Sequence, residues 1–503
     1  MKKIIKYIAL SCLVFSSGCL NESPEDQIGA DDFYKTTEDI NQAVMACYNG
    51  LQSTIKNEWY LTELRSDNSR HYGAGSTAVN SRNIYAMDNF RVETTHPINQ
   101  SYWEAVYHNI ANCNTVFQHI GVVNNETKRK QFEGEAAFVR AYHYFNLVRL
   151  YGPLFIVTER INMHQANQAE RSPVEKVYEL IENDLKTIID EQKLPVSYES
   201  SQKGRADIWA VKTLLAKVYM TLGRLSEAKT LLLDVEKNSV YGLVNKGYAD
   251  VFSIGNEMNE EIIFTIRFKA GGFGLGSPFA NSFSPSNSSD MIVSAGGDGN
   301  NCPSNDLIVS YENGDKRKDV TLATTWLNPN GETVYTPYSK KYLSPVQTRY
   351  DAENDWPLIR FADVLLMLGE IENELSGPTQ GLPYLNMTRT RAGLTSLISE
   401  DVPNKHAFRM AMEKERRLEF AFENHRLFDL MRTNRLISVM KNHFDTEQIA
   451  NANTGIMGAY YGDAKNESYL PEEYRTLQSW QMLLPIPYSV ISVAPNATQN
   501  PGY

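Results

Sequence analysis

The chain has 503 residues, 42% of them hydrophobic, and carries a formal net charge of -11 with a pI near 5.5. An acidic balance with no basic stripe argues against nucleic acid as a partner and fits an exposed surface. The length allows two or three domains, yet repeat-built folds reach this size as one body.

Lys2, Lys3 and Lys6 precede the apolar run Ile8 to Phe15, which ends in Ser16-Ser17-Gly18-Cys19. The run is too short to span a bilayer and has the order of a secretory signal. A small residue before a cysteine is the pattern of bacterial lipoprotein signals. Residues 1–18 are therefore expected to be a signal peptide and Cys19 the acylated first residue of the mature chain; the alternative is a simple cleaved signal with Cys19 incidental. Covalent lipid would hold the body at a membrane face. Residues 19–32 are acidic, hold a proline and a glycine, and predict a flexible tether ahead of a body over 33–503. No later stretch is long and apolar enough to cross a bilayer. Past Cys19 only Cys47, Cys113 and Cys302 remain, with no CxxC spacing, which argues against a metal site or a disulfide framework. Cys47 and Cys113 fall on neighbouring predicted helices and either meet or stay as buried free thiols.

A first helix is predicted over Ile40 to Ile55, and its partner keeps helical spacing through Trp103, Val106, Tyr107, Ile110, Asn114 and Phe117. Between them, residues 59–100 are rich in Asn, Ser, Gly, Arg and Tyr and longer than a plain connector, which marks a functional loop. Phe132 to Pro153 predicts the central helix. Phe138, Ala141, Tyr142, Phe145 and Val148 trace one apolar face, and Ala137, Ala141, Tyr144, Val148 and Tyr151 a second. Gly152 suits the C-terminal cap and Pro153 stops the ladder.

Pro173 to Ile189 predicts another helix. Across Arg205 to Val235, Ala216, Tyr219, Gly223, Ala228 and Leu232 have the spacing of a tetratricopeptide helix-turn-helix, and the rhythm returns at Gly369, Glu372, Gly381 and Leu385. A short repeat bundle is expected, with an unrelated helical bundle as the competing reading. Over residues 241–356 the helical period fails: Glu261 to Phe268 predicts a strand, and Gly/Ser/Asn-rich loops follow. On the C-terminal helices Glu413 with Arg417, Arg416 with Glu419, and Asp429 with Arg432 sit three or four residues apart. They are expected to be structural charge pairs, each worth about 0.2–0.5 kcal/mol if exposed.

Three stretches resemble the SusD/RagB family of outer-membrane nutrient-binding lipoproteins. Arg140-Ala141-Tyr142 through Tyr144-Phe145, Leu147-Val148-Arg149 and Tyr151-Gly152-Pro153-Leu154 look like its signature helix. Glu415-Arg416-Arg417, Glu419 to Glu423, Arg426 and Asp429-Leu430 resemble a second signature. Leu484-Pro485-Ile486-Pro487 with Gln499-Asn500-Pro501-Gly502-Tyr503 resembles a third, and Asn313 to Arg317 the family's GDxR turn. The resemblance implies a mainly α fold, a tetratricopeptide-like helical repeat scaffold with long inserted loops and a few short strands. It also implies a lipid-anchored, cell-surface glycan-binding lipoprotein of the outer membrane that passes oligo- or polysaccharide to a SusC-like TonB-dependent transporter.

The nucleophile elbow, the HExxH zinc motif, the P-loop and the Rossmann fingerprint are all absent from the sequence. A binding protein without cofactor is expected. The alternatives are a glycoside hydrolase, which needs only two carboxylates, or a repeat scaffold that binds only protein. Asp298, Asn300 and Asp306 lack the EF-hand pattern, so solvated loop rather than a calcium site is expected there. In the family, loop aromatics grip the glycan, and Arg70-His71-Tyr72 falls where one such cluster would stand. If the two insertions converge, Tyr72 and Trp326 are the expected stacking rings, with Asn68, Arg70 and Asn300 as hydrogen-bond partners.

Overall fold

The computed structural model describes residues 33–71, 79–159, 161, 163–454 and 475–503. The predicted signal peptide, the tether with Cys19, and Tyr72 lie outside the described residues.

Thr36 opens the first helix, α1 (Thr37–Leu61). Its hydroxyl accepts from the Asp39 N–H at 3.2 Å, and the Asp39 carboxylate accepts from the Thr36 N–H at 2.8 Å. This reciprocal cap satisfies two orphan donors. α2 (Pro97–His119) lies against α1 and begins on a proline, whose missing N–H has no intrahelical partner to lose. Cys47 and Cys113 meet across these two helices as buried free thiols.

α3 (Glu126–Tyr151) is the central helix, buried at every position from Gly134 to Val148. It ends at Gly152, whose φ of +72 suits glycine and whose N–H reaches the Val148 carbonyl at 3.0 Å. Its apolar faces follow the predicted pattern, but its polar residues are buried too. Arg140 donates to Asp184 at 2.8 and 2.9 Å and to Asn114 at 2.9 Å.

Helix pairs then stack. α3 packs on α4 (Val174–Asp190), and α5 (Ile208–Thr221) packs on α6 (Leu225–Asn238), which meets α7 (Phe361–Ser376). α7 in turn packs on α8 (Pro378–Arg391). α9 (Lys405–Glu419), α10 (Arg426–Arg432) and α11 (Leu436–Thr454) complete the helical body. This is the tetratricopeptide-like repeat scaffold the spacing predicts. Gly223 turns between α5 and α6 at φ +72, where other residues are strained. At the α7–α8 crossing the need is for space: a Cβ on Gly381 would lie 2.5 Å from the Gly369 carbonyl oxygen and 2.6 Å from the Phe408 ring.

Among the described residues the strands form three two-stranded antiparallel sheets. β1 (Ser69–Arg70) pairs with β3 (Cys302–Pro303), β2 (Ile262–Ile266) with β6 (Trp356–Arg360), and β4 (Leu322–Leu327) with β5 (Thr333–Ser339). β2 confirms the predicted strand. The stretch over 59–100 differs from a plain loop: α1 runs on to Leu61, a helix forms at Val79–Asp88, and Leu61 to His71 are all buried. That run goes inward because Glu63, Asp67 and Asn68 find partners there from the C-terminal helices.

Those partners also revise the expected charge pairs. The Asp429–Arg432 pair forms, at 2.8 Å. Glu413 and Arg417, and Arg416 and Glu419, instead bond distant residues, because this face of α9 is buried. Arg417 reaches Asp306 at 2.6 Å and Asp67 at 3.2 Å; Arg416 reaches Asp363 and Asp429 at 2.8 Å each. Glu413 takes Arg435 at 3.1 Å, and Glu419 lies among Arg360 at 3.0 Å, Arg317 at 3.3 Å and Arg391. Asp315 and Arg317 of the GDxR turn bond each other at 2.8 Å within the same buried set.

Burial works against ionisation of Asp67, Asp363, Glu419 and Asp429, but the surrounding cations outweigh it and hold each carboxyl below its usual range. A carboxyl depressed in the folded state contributes stability that is present above its unfolded value, about 4, and lost as pH falls through the folded value. The contribution of these four carboxyls to the denaturant midpoint is therefore expected to fall between pH 5 and pH 3, against an opposite contribution from Glu63, Asp88 and Asp355, whose carboxyls burial pushes up; a midpoint that rises steadily from pH 5 to pH 3 would contradict a dominant role for the four.

Both glycines predict measurable losses. Gly223→Val should lower the melting temperature by an amount equivalent to about 1 kcal/mol or more through its left-handed backbone. Gly381→Ala should cost about 1–3 kcal/mol through overpacking against a carbonyl that cannot move aside. Wild-type melting in both variants would remove the repeat assignment.

Candidate functional site

The two insertions do converge. Ser69 pairs with Pro303 and Arg70 with Cys302, while the Ser304 N–H donates to the Asn68 carbonyl at 2.9 Å and the Ser69 hydroxyl to Asn301 at 2.6 Å. The predicted contact residues are brought toward this junction but face inward. Asn68 accepts from Arg417 Nε at 2.9 Å and donates to Glu63 at 2.9 Å. Arg70 is buried beside Asp88 at 3.5 Å and His443 at 3.3 Å. Asn300 is 6% exposed and Trp326 8%, the latter set in β4 opposite Val334. These four side chains thus stand inside the fold in this structure, and Tyr72 lies outside the described residues. Asp298 and Asp306 are ion-paired to Arg349 and Arg417, and no metal-ligand cluster occurs among the described residues.

Exposed rings lie elsewhere on the second insertion. Asn281, fully buried, donates to the Ser294 carbonyl at 3.0 Å and the Gly296 carbonyl at 2.8 Å, and accepts from the Tyr350 N–H at 2.9 Å. Next in the chain, Asp351 accepts from the Gly271 and Gly272 N–H groups at 2.9 Å each. Gly276 and Gly297 make these turns possible, since a Cβ would lie 2.2 Å from Asp351 Oδ1 and 2.2 Å from the Ser284 carbonyl oxygen respectively. Beneath them Ala280, Val293, Val346 and Ala352 form a small apolar cluster of their own.

This framework presents a ledge. Tyr350 has φ +63, a conformation strained for an aromatic residue, and the residue is 43% exposed. Its hydroxyl donates to Asp298 at 3.1 Å, Arg349 reaches the same carboxylate at 2.5 Å, and the Arg349 guanidinium lies 4.9 Å from the ring. Phe273, just beyond the glycines held by Asp351, is 71% exposed. Tyr60, at the end of α1, lies below; burial, and then the charge of Asp298, pushes its phenol up. Ser289, Ala295 and Asn301 also have left-handed backbones nearby in the chain. Strained residues gathered on an exposed loop are a mark of function. The Tyr350 ring beside a carboxylate acceptor and a guanidinium donor, with the exposed Phe273 on the glycine loop that Asp351 holds, suits a ligand with flat C–H faces and many hydroxyls.

Sequence reasoning pointed to the second insertion and did not single out Phe273, Arg349 or Tyr350, the exposed residues found on it. Nothing in a Tyr or Arg codon position marks an exposed, left-handed residue; the glycines around Phe273 were the available signal. A second aromatic surface lies between Phe90–Thr95 and the C-terminus, an open groove of about 740 Å³. There Trp480 is 36% exposed and meets Tyr503 edge-on at 4.8 Å. Gly502 leaves room for the indole, which a Cβ would approach to 2.3 Å.

Comparison with known proteins agrees along the chain. Residues 310–503 match the family model described as SusD family, and residues 20–220 match one described as starch-binding, associating with outer membrane. A SusD-like protein of Formosa agariphila is 26% identical over 492 residues, covering 88% of this chain and 92% of that one. A SusD-like protein of Bacteroides ovatus is 25% identical over 496 residues, covering 89% and 85%. Among solved structures, a laminarin binding SusD-like protein superposes with a TM-score of 0.77 at 23% identity, over 93% of this chain and 100% of its own. Surface glycan-binding protein A from Bacteroides thetaiotaomicron, in complex with laminarihexaose, gives 0.74 at 22% identity over 92% and 99%. With both family models, the relatives along most of its length and the repeat fold in agreement, the chain belongs to the SusD/RagB family.

Proposed function

We propose that this protein is a cell-surface glycan-binding lipoprotein of the outer membrane that hands oligo- or polysaccharide to a SusC-like TonB-dependent transporter. Residues 1–18 would direct export, acylated Cys19 would anchor the chain, and the tether over 19–32 would carry the body over 33–503. The observation that carries the reading is the ledge of Phe273 and Tyr350 with Asp298 and Arg349 between loops that do no scaffold work. The glycan-binding names of the structural relatives support it.

A glycan array on unlipidated protein, followed by calorimetry with the glycan it identifies, tests the ledge. Tyr350→Ala and Phe273→Ala should each weaken binding by about 1–3 kcal/mol, by analogy with bases stacked on aromatic side chains, or roughly fivefold to hundredfold. Melting should change little, because both rings are exposed, whereas Trp326→Ala should lower it. Unchanged affinity in both ledge variants rejects the ledge, and a loss confined to Trp480→Ala moves the site to the C-terminal groove. Slow cleavage of the bound glycan by wild type would favour a hydrolase instead.

The anchor has a separate test. Cys19→Ala should abolish acylation and release the protein from the outer-membrane fraction; a normal acyl-peptide in the mass spectrum of that variant would end the assignment.

A further inference from the structure

The second family-like signature contains a feature that neither scaffold packing nor the ledge uses. Phe422 and Asn424 both have left-handed backbones, at φ +67 and +66. Asparagine tolerates this; phenylalanine does so rarely. The turn is held from outside by Glu63, whose two oxygens accept from the Phe422 N–H at 2.8 Å and the Asn424 N–H at 3.0 Å. So clamped, it presents the Asn424 side chain, 6% exposed, to a polar cavity of about 60 Å³. Both amide atoms of Asn424, Oδ1 and Nδ2, have no hydrogen-bond partner among the described residues.

Arg149 faces the same cavity. Its guanidinium is sandwiched between the Phe145 ring at 3.7 Å and the Phe428 ring at 3.5 Å, and its Nε donates to the Phe145 carbonyl at 3.0 Å. The other cations of the cavity wall each hold a carboxylate: Lys217 has Asp363 at 2.8 Å, Arg416 has Asp363 and Asp429, and Arg432 has Asp429 and Glu370. Arg149 makes no ion pair with a carboxylate among the described residues; its neighbours are rings, a carbonyl and the Asn146 amide. Glu58, across the cavity, already accepts from Tyr142 at 3.1 Å, Asn146 at 3.1 Å and Tyr102 at 3.3 Å.

The cavity adjoins a second, larger hollow. Met220, Arg416, Asp429 and Arg432 belong both to its wall and to an outer groove of about 400 Å³ between α7, α9 and α10. In that groove Asn373, fully buried, leaves its Oδ1 without a donor among the described residues.

We propose that cavity and groove form a binding site for a carboxylate that carries a neighbouring hydroxyl. The carboxylate accepts from Arg149 and from Asn424 Nδ2, the hydroxyl donates to Asn424 Oδ1, and the remainder of the molecule occupies the outer groove beside Asn373. A guanidinium held between two rings with no ion pair of its own gains more from an anion than one in open solvent does. Burial pushes Arg149 down to about 10, which leaves it cationic at neutral pH, and pushes the Glu58 carboxyl up, which lessens its repulsion of the anion. The site is separate from the glycan ledge, and its source of ligand is either a small hydroxy acid or the acidic residue of a sugar.

Saturation-transfer NMR on unlipidated protein tests this with sodium glycolate and sodium D-glucuronate as probes, against sodium chloride at matched ionic strength. Saturable binding of glycolate is expected, weakened at least tenfold in Asn424→Gly and in Arg149→Met. Glycine keeps the left-handed turn, and methionine can still fill the slot between the two rings, so folding is preserved; a melting curve for each variant confirms it. Glycolate binding alone identifies a small acid as the ligand, and glucuronate binding of similar strength identifies an acidic sugar. Saturable binding by neither probe, or unchanged affinity in folded Asn424→Gly, overturns the proposal.

Discussion

Arg360 stands where β6 runs into α7 and bonds carboxylates from three places: Glu261 ahead of β2, Glu419 at the end of α9, and Glu423 beyond it. Arg391 of α8 shares Glu261 and Glu419, Arg317 of the second insertion shares Glu419, and Lys341 of the same insertion shares Glu423. All of these side chains are buried. Such pairs gain little net energy over a well-packed apolar core, because both ions give up water. Loss of one partner is different: it strands a buried charge at a cost of about 3–5 kcal/mol. The lattice therefore acts on alternatives. A repeat stack and its inserted segments can dock in the one arrangement that neutralises every member.

The first insertion is locked by the same chemistry. Asp67 takes Arg417 and Arg426, and Glu63 takes backbone N–H groups of the turn after α9. Two segments far apart in sequence are thus bolted to the C-terminal part of the chain, and the β1–β3 pairing joins them to each other. With the frame held this firmly, strained conformations at Phe422 and Tyr350 can persist. Each is clamped by one buried side chain, Glu63 in the first case and Asn281 in the second.

Most of the helical body was legible because apolar residues recur with a helical period, as at Phe138, Tyr142 and Phe145. The repeat turn was legible because Gly223 stands between two small-residue helices. What was not legible is the fate of the charges. A Glu or Arg at i, i+4 spacing has the same pattern whether its face meets water or another helix, so Glu413, Arg416, Arg417 and Glu419 suggested local pairs and made distant ones. The same ambiguity misplaced Asn68 and Arg70: polar loop residues were expected to meet ligand, and they instead complete the buried lattice. The convergence of the insertions was anticipated, but which rings stay outside depends on φ angles and on a few Asn and Asp side chains that no local pattern announces.

The apolar cluster of Ala280, Val293, Val346 and Ala352 sits apart from the main core, directly under the ledge. Of the helices, α1 lies next to the ledge, through Tyr60 at its end. The ledge and the lattice are thus built on separate side chains: a different set of rings could be carried on the same plug while the lattice around Arg360 and Glu419 keeps its partners.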